Sequence, residues 1–303
     1  MSGRIAVLAG VVACALMTSE ARAQEMEPRA YSSSPTGTNF LVVGFTRSTG
    51  DVLFDPTLPI EDVTARLNAV ALGLGRTFSL GGRVALLTAA LPYSWGDIEG
   101  RVAEQSRQIT RSGLVDTRVK LSVNLLGPPA MSPAQFVKSP RRTVIGASLT
   151  AVAPPGQYDP HKLINLGTNR WAFKPEVGVS HPRGHWNLDA YAGVWLFTTN
   201  DVFFPGEATR RQDRIVALQG HASYTIKPRA WVAFDATWYS GGSATVDDAP
   251  PSSRVSNTRL GATLAWPISR WQSLKIAYSG GATTRVGSDF RTVAVAWQVL
   301  WMD

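Results

Sequence analysis

The chain has 303 residues, a formal charge of +8 from 30 Lys and Arg against 22 Asp and Glu, and one cysteine, Cys14. That cysteine sits in an apolar run near the start, so the chain beyond it holds no disulfide and no thiolate for catalysis or metal binding. The basic residues are scattered rather than run together, which argues against a nucleic-acid surface.

The first 23 residues predict a secretory signal peptide. Arg4 supplies a positive start, residues 5–17 are apolar, and Ala21-Arg22-Ala23 is a small-x-small site before Gln24. The run is too short to span a bilayer as a helix. The stretch VVAC at 11–14 loosely resembles a lipoprotein box, but its cysteine lies inside the apolar run and the Ala-x-Ala site fits better. Losing Arg4, Glu20 and Arg22 lowers the net charge by one. Beyond Ala23 no run of about 18 apolar residues occurs, so no spanning helix is expected.

From residue 24 to 303 the chain reads as one domain of strands. Apolar and polar residues alternate at period two over short stretches bounded by Gly, Pro, Asn, Asp or Arg. The stretches fall near 38–48, 64–77, 83–95, 114–126, 143–153, 170–181, 185–199, 212–227, 229–241, 254–266, 271–284 and 290–301. In WNLDAYAGVWLF, Trp186, Leu188, Val194 and Leu196 share one face, while Asn187, Asp189 and Tyr191 share the other. Connections such as SLGGR, HPRGH and IKPRA are tight turns; those on the opposite side are mostly long.

Many alternating strands in an exported chain fit either a soluble sandwich or an outer-membrane barrel. Short turns on one side with long loops on the other, and an even strand count, favour the barrel. Tryptophans near both strand ends, among them Trp95, Trp171, Trp195 and Trp238 on the loop side and Trp186, Trp231, Trp266, Trp271 and Trp301 on the turn side, predict two aromatic girdles. The expected fold is therefore all-β: a transmembrane up-and-down antiparallel barrel of about twelve strands. Its lumen would be lined by Arg118, Lys120, Lys174, Glu176, Asp189, Asp235, Arg259 and Lys275, which stand mid-strand opposite apolar faces. Val194, Leu218, Phe234 and Val295 would face lipid.

Several stretches carry a family resemblance: EPRAYSSSPTGTNFLVVGF at 27–45, DPTLPIED at 55–62, PPGQYDPHKLINLGTNRWAFKPEVGVS at 154–180 and YAGVWLFTTNDVFF at 191–204. They resemble the putative MetA-pathway of phenol degradation family of outer-membrane proteins. The resemblance implies a transporter-like barrel and a role in aromatic degradation; it assigns no functional residues.

Loop 154–169 is long and too apolar for a disordered linker. By strand parity it lies at the outer mouth, where it is expected to form a constriction with polar contacts from Tyr158, Asp159, Lys162, Asn165, Asn169 and Arg170. The alternative is a brace for neighbouring loops. Phe54 with Leu58-Pro59-Ile60, and Val202-Phe203-Phe204-Pro205, form either a greasy entrance or mutual loop packing. The charged stretch 99–111 reads as a solvated tip.

His181 and His185 have a metal-ligand spacing only on a helix, which Pro182, Arg183 and Gly184 forbid. His221-Ala222-Ser223 resembles a lipase strand motif, but both side chains fall on the lumenal face. The glycine pairs at 81–82, 241–242 and 280–281 read as turn or bulge glycines, not phosphate cradles. No cofactor or metal is expected, and no catalytic residue. The expected partners are outer-membrane lipids and a small-molecule solute. The leading expectation is a channel for passive uptake of small aromatic or hydrophobic molecules; the alternatives are a non-conducting structural or adhesive barrel, or an outer-membrane enzyme.

Overall fold

A computed structural model describes residues 26–53, 60–102, 105–285 and 287–303; the expected signal peptide and the apolar stretch around Phe54 and Leu58 lie outside the described residues. In chain order the elements are β1 (Thr38–Leu53), β2 (Ile60–Leu80), β3 (Arg83–Val102), β4 (Gln105–Leu114), β5 (Thr117–Leu126), α1 (Pro133–Lys138), β6 (Val144–Ala153), β7 (Ala172–Arg183) and β8 (Trp186–Phe197). They continue as β9 (Asn200–Phe203), β10 (Ala208–Gln212), β11 (Ile215–Lys227), β12 (Ala230–Gly241), β13 (Ala244–Val246), β14 (Val255–Pro267), β15 (Gln272–Thr284) and β16 (Gly287–Met302).

Twelve staves close into one antiparallel barrel. β1 pairs with β2 on one side and β16 on the other, from Thr38↔Met302 to Thr49↔Arg291 in the β16 ladder, and β2 pairs with β3, so the barrel closes on itself. Closure matters because unpaired backbone groups in hydrocarbon cost several kcal/mol each. The alternation then sorts the faces in the reverse of a soluble protein. Phe234 is 58% exposed on the outside, while its neighbour Asp235 is 0% exposed inside. Leu188, Leu218 and Val232 point outward with Phe234.

The structure departs from the sequence expectations at several places. The fourth stave is broken at Val115 and Asp116 into β4 and β5, both paired to β3. The charged stretch 99–111 is no simple loop: β3 and β4 continue the ladder there, with Glu99↔Gln108 and Ile98↔Ile109 in register. Ile98 explains the extension, because it packs with Val52, Val63, Ala65 and Phe290 in a buried cluster. The long loops 198–214 and 242–254 contribute a small three-stranded sheet, β13-β10-β9. On the turn side α1 interrupts the 127–143 connection, started by Ser132 and Gln135 capping each other with Pro133 in the first turn.

Two tryptophans also leave the girdles. Trp195 is 2% exposed inside the barrel, and Trp231 faces the lumen with its ring 4.8 Å from the Arg29 guanidinium. Position near a strand end does not choose the face; parity does, and both residues share parity with Asp189 or Asp235. Trp171, Trp186, Trp266 and Trp301 stay exposed on the outside.

Cysteines placed at Leu218 and Phe234 are expected to react with a bilayer-soluble maleimide, and cysteines at Asp189 and Asp235 to resist it. Phe234→Arg should destabilise the folded barrel by about 2–4 kcal/mol if it lies near mid-bilayer. Labelling of the Asp235 position in preference to Phe234 would show the register to be wrong.

Candidate solute pathway through the lumen

A barrel of polar inner face must satisfy those groups, and here the chain does so with its own N-terminal segment. Residues 26–37 precede β1 and run across the lumen before reaching the wall. Arg29 donates from its backbone N–H to Asp189 Oδ2 (3.2 Å), from Nε to Ser223 Oγ (2.8 Å) and from Nη2 to Thr225 Oγ1 (2.8 Å). Glu27 accepts from Lys120 Nζ at 2.6 Å, and the same ammonium lies 3.7 Å from Glu176. Glu176 pairs in turn with Lys174 at 3.0 Å, both side chains being 1% exposed. The Lys120 ammonium beside it holds the Glu27 carboxyl well below the usual carboxylate range.

Tyr31 keys the segment to the wall. Its hydroxyl donates to Glu176 Oε1 (3.1 Å) and shares a hydrogen bond with Ser148 Oγ (2.9 Å). Its ring lies over Gly146 and Gly178, which are cross-strand partners on β6 and β7. A Cβ at either position would collide with the ring, so only glycine leaves room there. Tyr191 meets Tyr31 edge-on, with ring centroids 5.1 Å apart.

Above this segment lies a cavity of about 540 Å³ against β1, β2, β3, β15 and β16. Met26 forms part of its floor, and Ile164, Asn165, Leu166 and Thr168 of loop 154–169 part of its roof. The walls are mostly small or apolar, including Ala65, Leu67, Ala69, Ala90, Pro92 and Phe290.

The break in the fourth stave holds the roof. Asp116 accepts at Oδ1 from Gly156 N–H (3.2 Å) and at Oδ2 from Thr168 N–H (3.1 Å) and Thr168 Oγ1 (2.6 Å). Gln157 N–H adds a bond to Leu114 O at 2.8 Å. The loop's two ends are thus pinched together, as in an Ω-loop. Arg111 Nε reaches from β4 to Ile164 O at 2.9 Å.

Of the six loop residues singled out from sequence, Asn165 lines the cavity. It also ties the loop together, bonding the carbonyls of Asp159 and Lys162 through Nδ2. Tyr158 donates to Val202 O and accepts from Asn200 Nδ2. Asp159 pairs with Lys162 at 3.0 Å, an exposed contact that lowers the Asp159 pKa, aided by the His161 N–H. Asn169 bonds Asn200, and buried Arg170 bonds Gln212 with its guanidinium 4.5 Å from the Phe197 ring. These contacts hold the loop against β9 and β10. Phe203 likewise packs in the loop layer with Ala208, Val246, Leu163 and Ile164 rather than facing water.

Of the eight side chains expected in the lumen, Lys275 has its ammonium 6.0 Å from the lumenal Trp231 ring, and the other seven divide into groups. Arg118 borders the cavity, 5.9 Å from the Trp195 ring. Lys120, Lys174, Glu176 and Asp189 meet the N-terminal segment and one another as described. Asp235 accepts from Thr263 Oγ1 at 2.8 Å and lies 2.7 Å from His221 Nδ1. Arg259 donates to Phe290 O at 2.6 Å. The Ser223 hydroxyl accepts from Arg29 and donates to Asn187 O at 3.3 Å, so its proton is not directed at His221. His181 and His185 bond Thr143 and the Thr225 carbonyl on separate sides of their turn.

Sequence reasoning missed Glu27, Arg29 and Tyr31, because residues 26–37 lack any strand period. The available signal was indirect: glycine in a strand interior marks close approach by another segment, and Gly146 and Gly178 both stand on the lumenal face.

Gly178→Ala is expected to dislodge the segment while the barrel stays folded, read as trypsin cleavage after Arg29 at several times the unmutated rate. Equal cleavage of both proteins would contradict the docking of Tyr31. Because the Glu27 pKa is depressed, the ion pair's contribution is fully present above the ordinary carboxylate range and is lost as pH falls from there through the depressed value. Pepsin at about pH 4 should therefore still spare the segment around Tyr31 in the unmutated barrel. Rapid cutting there at that pH, with the barrel folded, would contradict the depressed Glu27 pKa.

A family profile described as "Putative MetA-pathway of phenol degradation" matches residues 43–298. Among curated protein sequences none matches the chain. The fold is similar to that of the COG4313 outer membrane channel from Pseudomonas putida F1, at 20% identity and a TM-score of 0.75, over 91% of this chain and 100% of that one. It is also similar to the transport unit of the autotransporter AIDA-I from Escherichia coli, at 12% identity and a TM-score of 0.52, over 98% and 99% of the two chains. At these identities the likeness is one of fold, that of an outer-membrane barrel. With the profile spanning nearly every stave, the chain belongs to the putative MetA-pathway of phenol degradation family.

Proposed function

We infer that the protein is exported by residues 1–23 to a bacterial outer membrane, where it admits small apolar or aromatic solutes down their gradient. The observation that carries this reading is the largely apolar cavity inside a barrel, roofed by loop 154–169 and floored by the N-terminal segment. A water-filled porin needs a polar open bore, whereas an apolar cavity offers a desolvated solute a favourable stop between the outside and the periplasm. The family description, and the likeness in fold to a P. putida outer membrane channel, support the same reading. Both closures are built from segments outside the ladder, so either can shift without breaking the barrel.

A second reading, a barrel that conducts nothing and serves as a scaffold, draws on the extensive bonding at both closures. Uptake separates the two. Cells of a Gram-negative host that carry the protein should accumulate labelled naphthalene faster than cells that lack it. Equal rates would favour the scaffold.

Deleting 159–167 should raise single-channel conductance in planar bilayers without unfolding the barrel, since loops outside a closed sheet tolerate deletion. Removing residues 24–33 should raise it as well, and the two deletions together should exceed either alone. Conductance unchanged by both deletions in folded protein would remove the two closures from the account.

A further inference from the structure

Among the described residues that line the cavity, the charged side chains are Arg111, Asp116 and Arg118. They lie on one flank, on β4, β5 and the break between them, facing an otherwise small and apolar wall. Both oxygens of Asp116 accept hydrogen bonds from the loop, so this carboxylate serves the roof. Arg118 lies in the field of the Glu27 carboxylate, so the positive charge that a solute meets under the roof is that of Arg111. Arg111 stands at the roof end, paired across β3 with Gly96, and Arg118 stands deeper, paired with Ala90. Two Arg111 donors reach neutral carbonyls, Nε to Ile164 and Nη1 to Thr110, and no carboxylate of the described residues pairs with it.

We propose that the cavity selects apolar solutes bearing one anionic head, such as an aromatic carboxylate, with the head held at Arg111 and the body laid along the β1–β3 wall. The proposal rests on the channel reading and narrows its substrate class. A neutral solute filling this space strips water from guanidinium donors and returns nothing to them. A carboxylate replaces that water with charge-assisted hydrogen bonds, in a planar geometry that guanidinium matches two bonds at a time. The apolar wall opposite then excludes small hydrophilic anions, which have no surface to bury there. Charge at one end and an apolar wall at the other together specify an amphipathic acid.

Equilibrium dialysis of the barrel in nanodiscs, corrected with empty nanodiscs, tests this with 2-naphthoate and its uncharged isostere 2-naphthamide. The naphthoate should bind about tenfold more tightly or better, the scale of one charge-assisted hydrogen bond. The ratio should fall towards one in Arg111→Gln and be kept in Arg111→Lys, with heat-modifiable electrophoretic mobility showing each variant folded. Equal binding of the two probes to the unmutated protein would overturn the anionic preference while leaving an apolar cavity in place. A ratio unchanged in Arg111→Gln would overturn the assignment of the head to that residue. Binding of neither probe would take the channel reading down with the proposal.

Discussion

The constraint on which the structure depends is that lipid satisfies no hydrogen bonds. It forces the sheet to close, and the pairing of β1 with both β2 and β16 meets it. Closure then creates a second demand. The polar faces that cannot point to lipid point inward, and a twelve-stave lumen is too wide for side chains from opposite walls to satisfy one another unaided. The N-terminal segment fills that gap on the β5–β12 side. It sets Glu27 against Lys120, so that this ammonium stands between the Glu27 and Glu176 carboxylates, and it lays Tyr31 on a bed cleared by two paired glycines.

The other side of the lumen is left open because its wall has little to satisfy. β1, β2, β3, β15 and β16 present alanine, threonine and serine inward, with few charges. The same barrel is therefore two environments: a packed, ionic half that holds the segment, and a small-residue half that holds a cavity. Buried ion pairs such as Lys174–Glu176 add little net stability, because desolvation offsets attraction, but breaking one leaves an uncompensated charge at a cost of about 3–5 kcal/mol. Their effect is to fix where the segment sits.

Much of the barrel was legible in the sequence because a strand's two-residue period is a local signal. The alternation of Trp186, Leu188 and Val194 against Asn187, Asp189 and Tyr191 gives both the strand and its faces. The parts that were not legible arise from contacts distant in the chain. Tyr31 meets Ser148 and Glu176 more than a hundred residues away, and no local pattern in 26–37 announces it. The outward continuation of β3 and β4 depends on Ile98 finding Phe290. Loop 154–169 stands out in the sequence by its length and apolar content, which leave a constriction and a brace both open, while its anchor, Asp116, looks like an ordinary residue within a strand. Most of the loop's conspicuous polar groups bond the loop itself or β9 and β10, while Ile164, Leu166 and Thr168 join Asn165 at the cavity.

The central claim is that apolar solutes occupy the space between the roof and the N-terminal segment. A crystal structure of the protein soaked with 2-bromonaphthalene, read by anomalous scattering from bromine, tests it most directly. The account predicts a bromine peak inside the barrel, between Ile164 and Met26 and against the wall of β1 to β3. Bromine found only on the lipid-facing exterior, with the cavity holding ordered water alone, would contradict it.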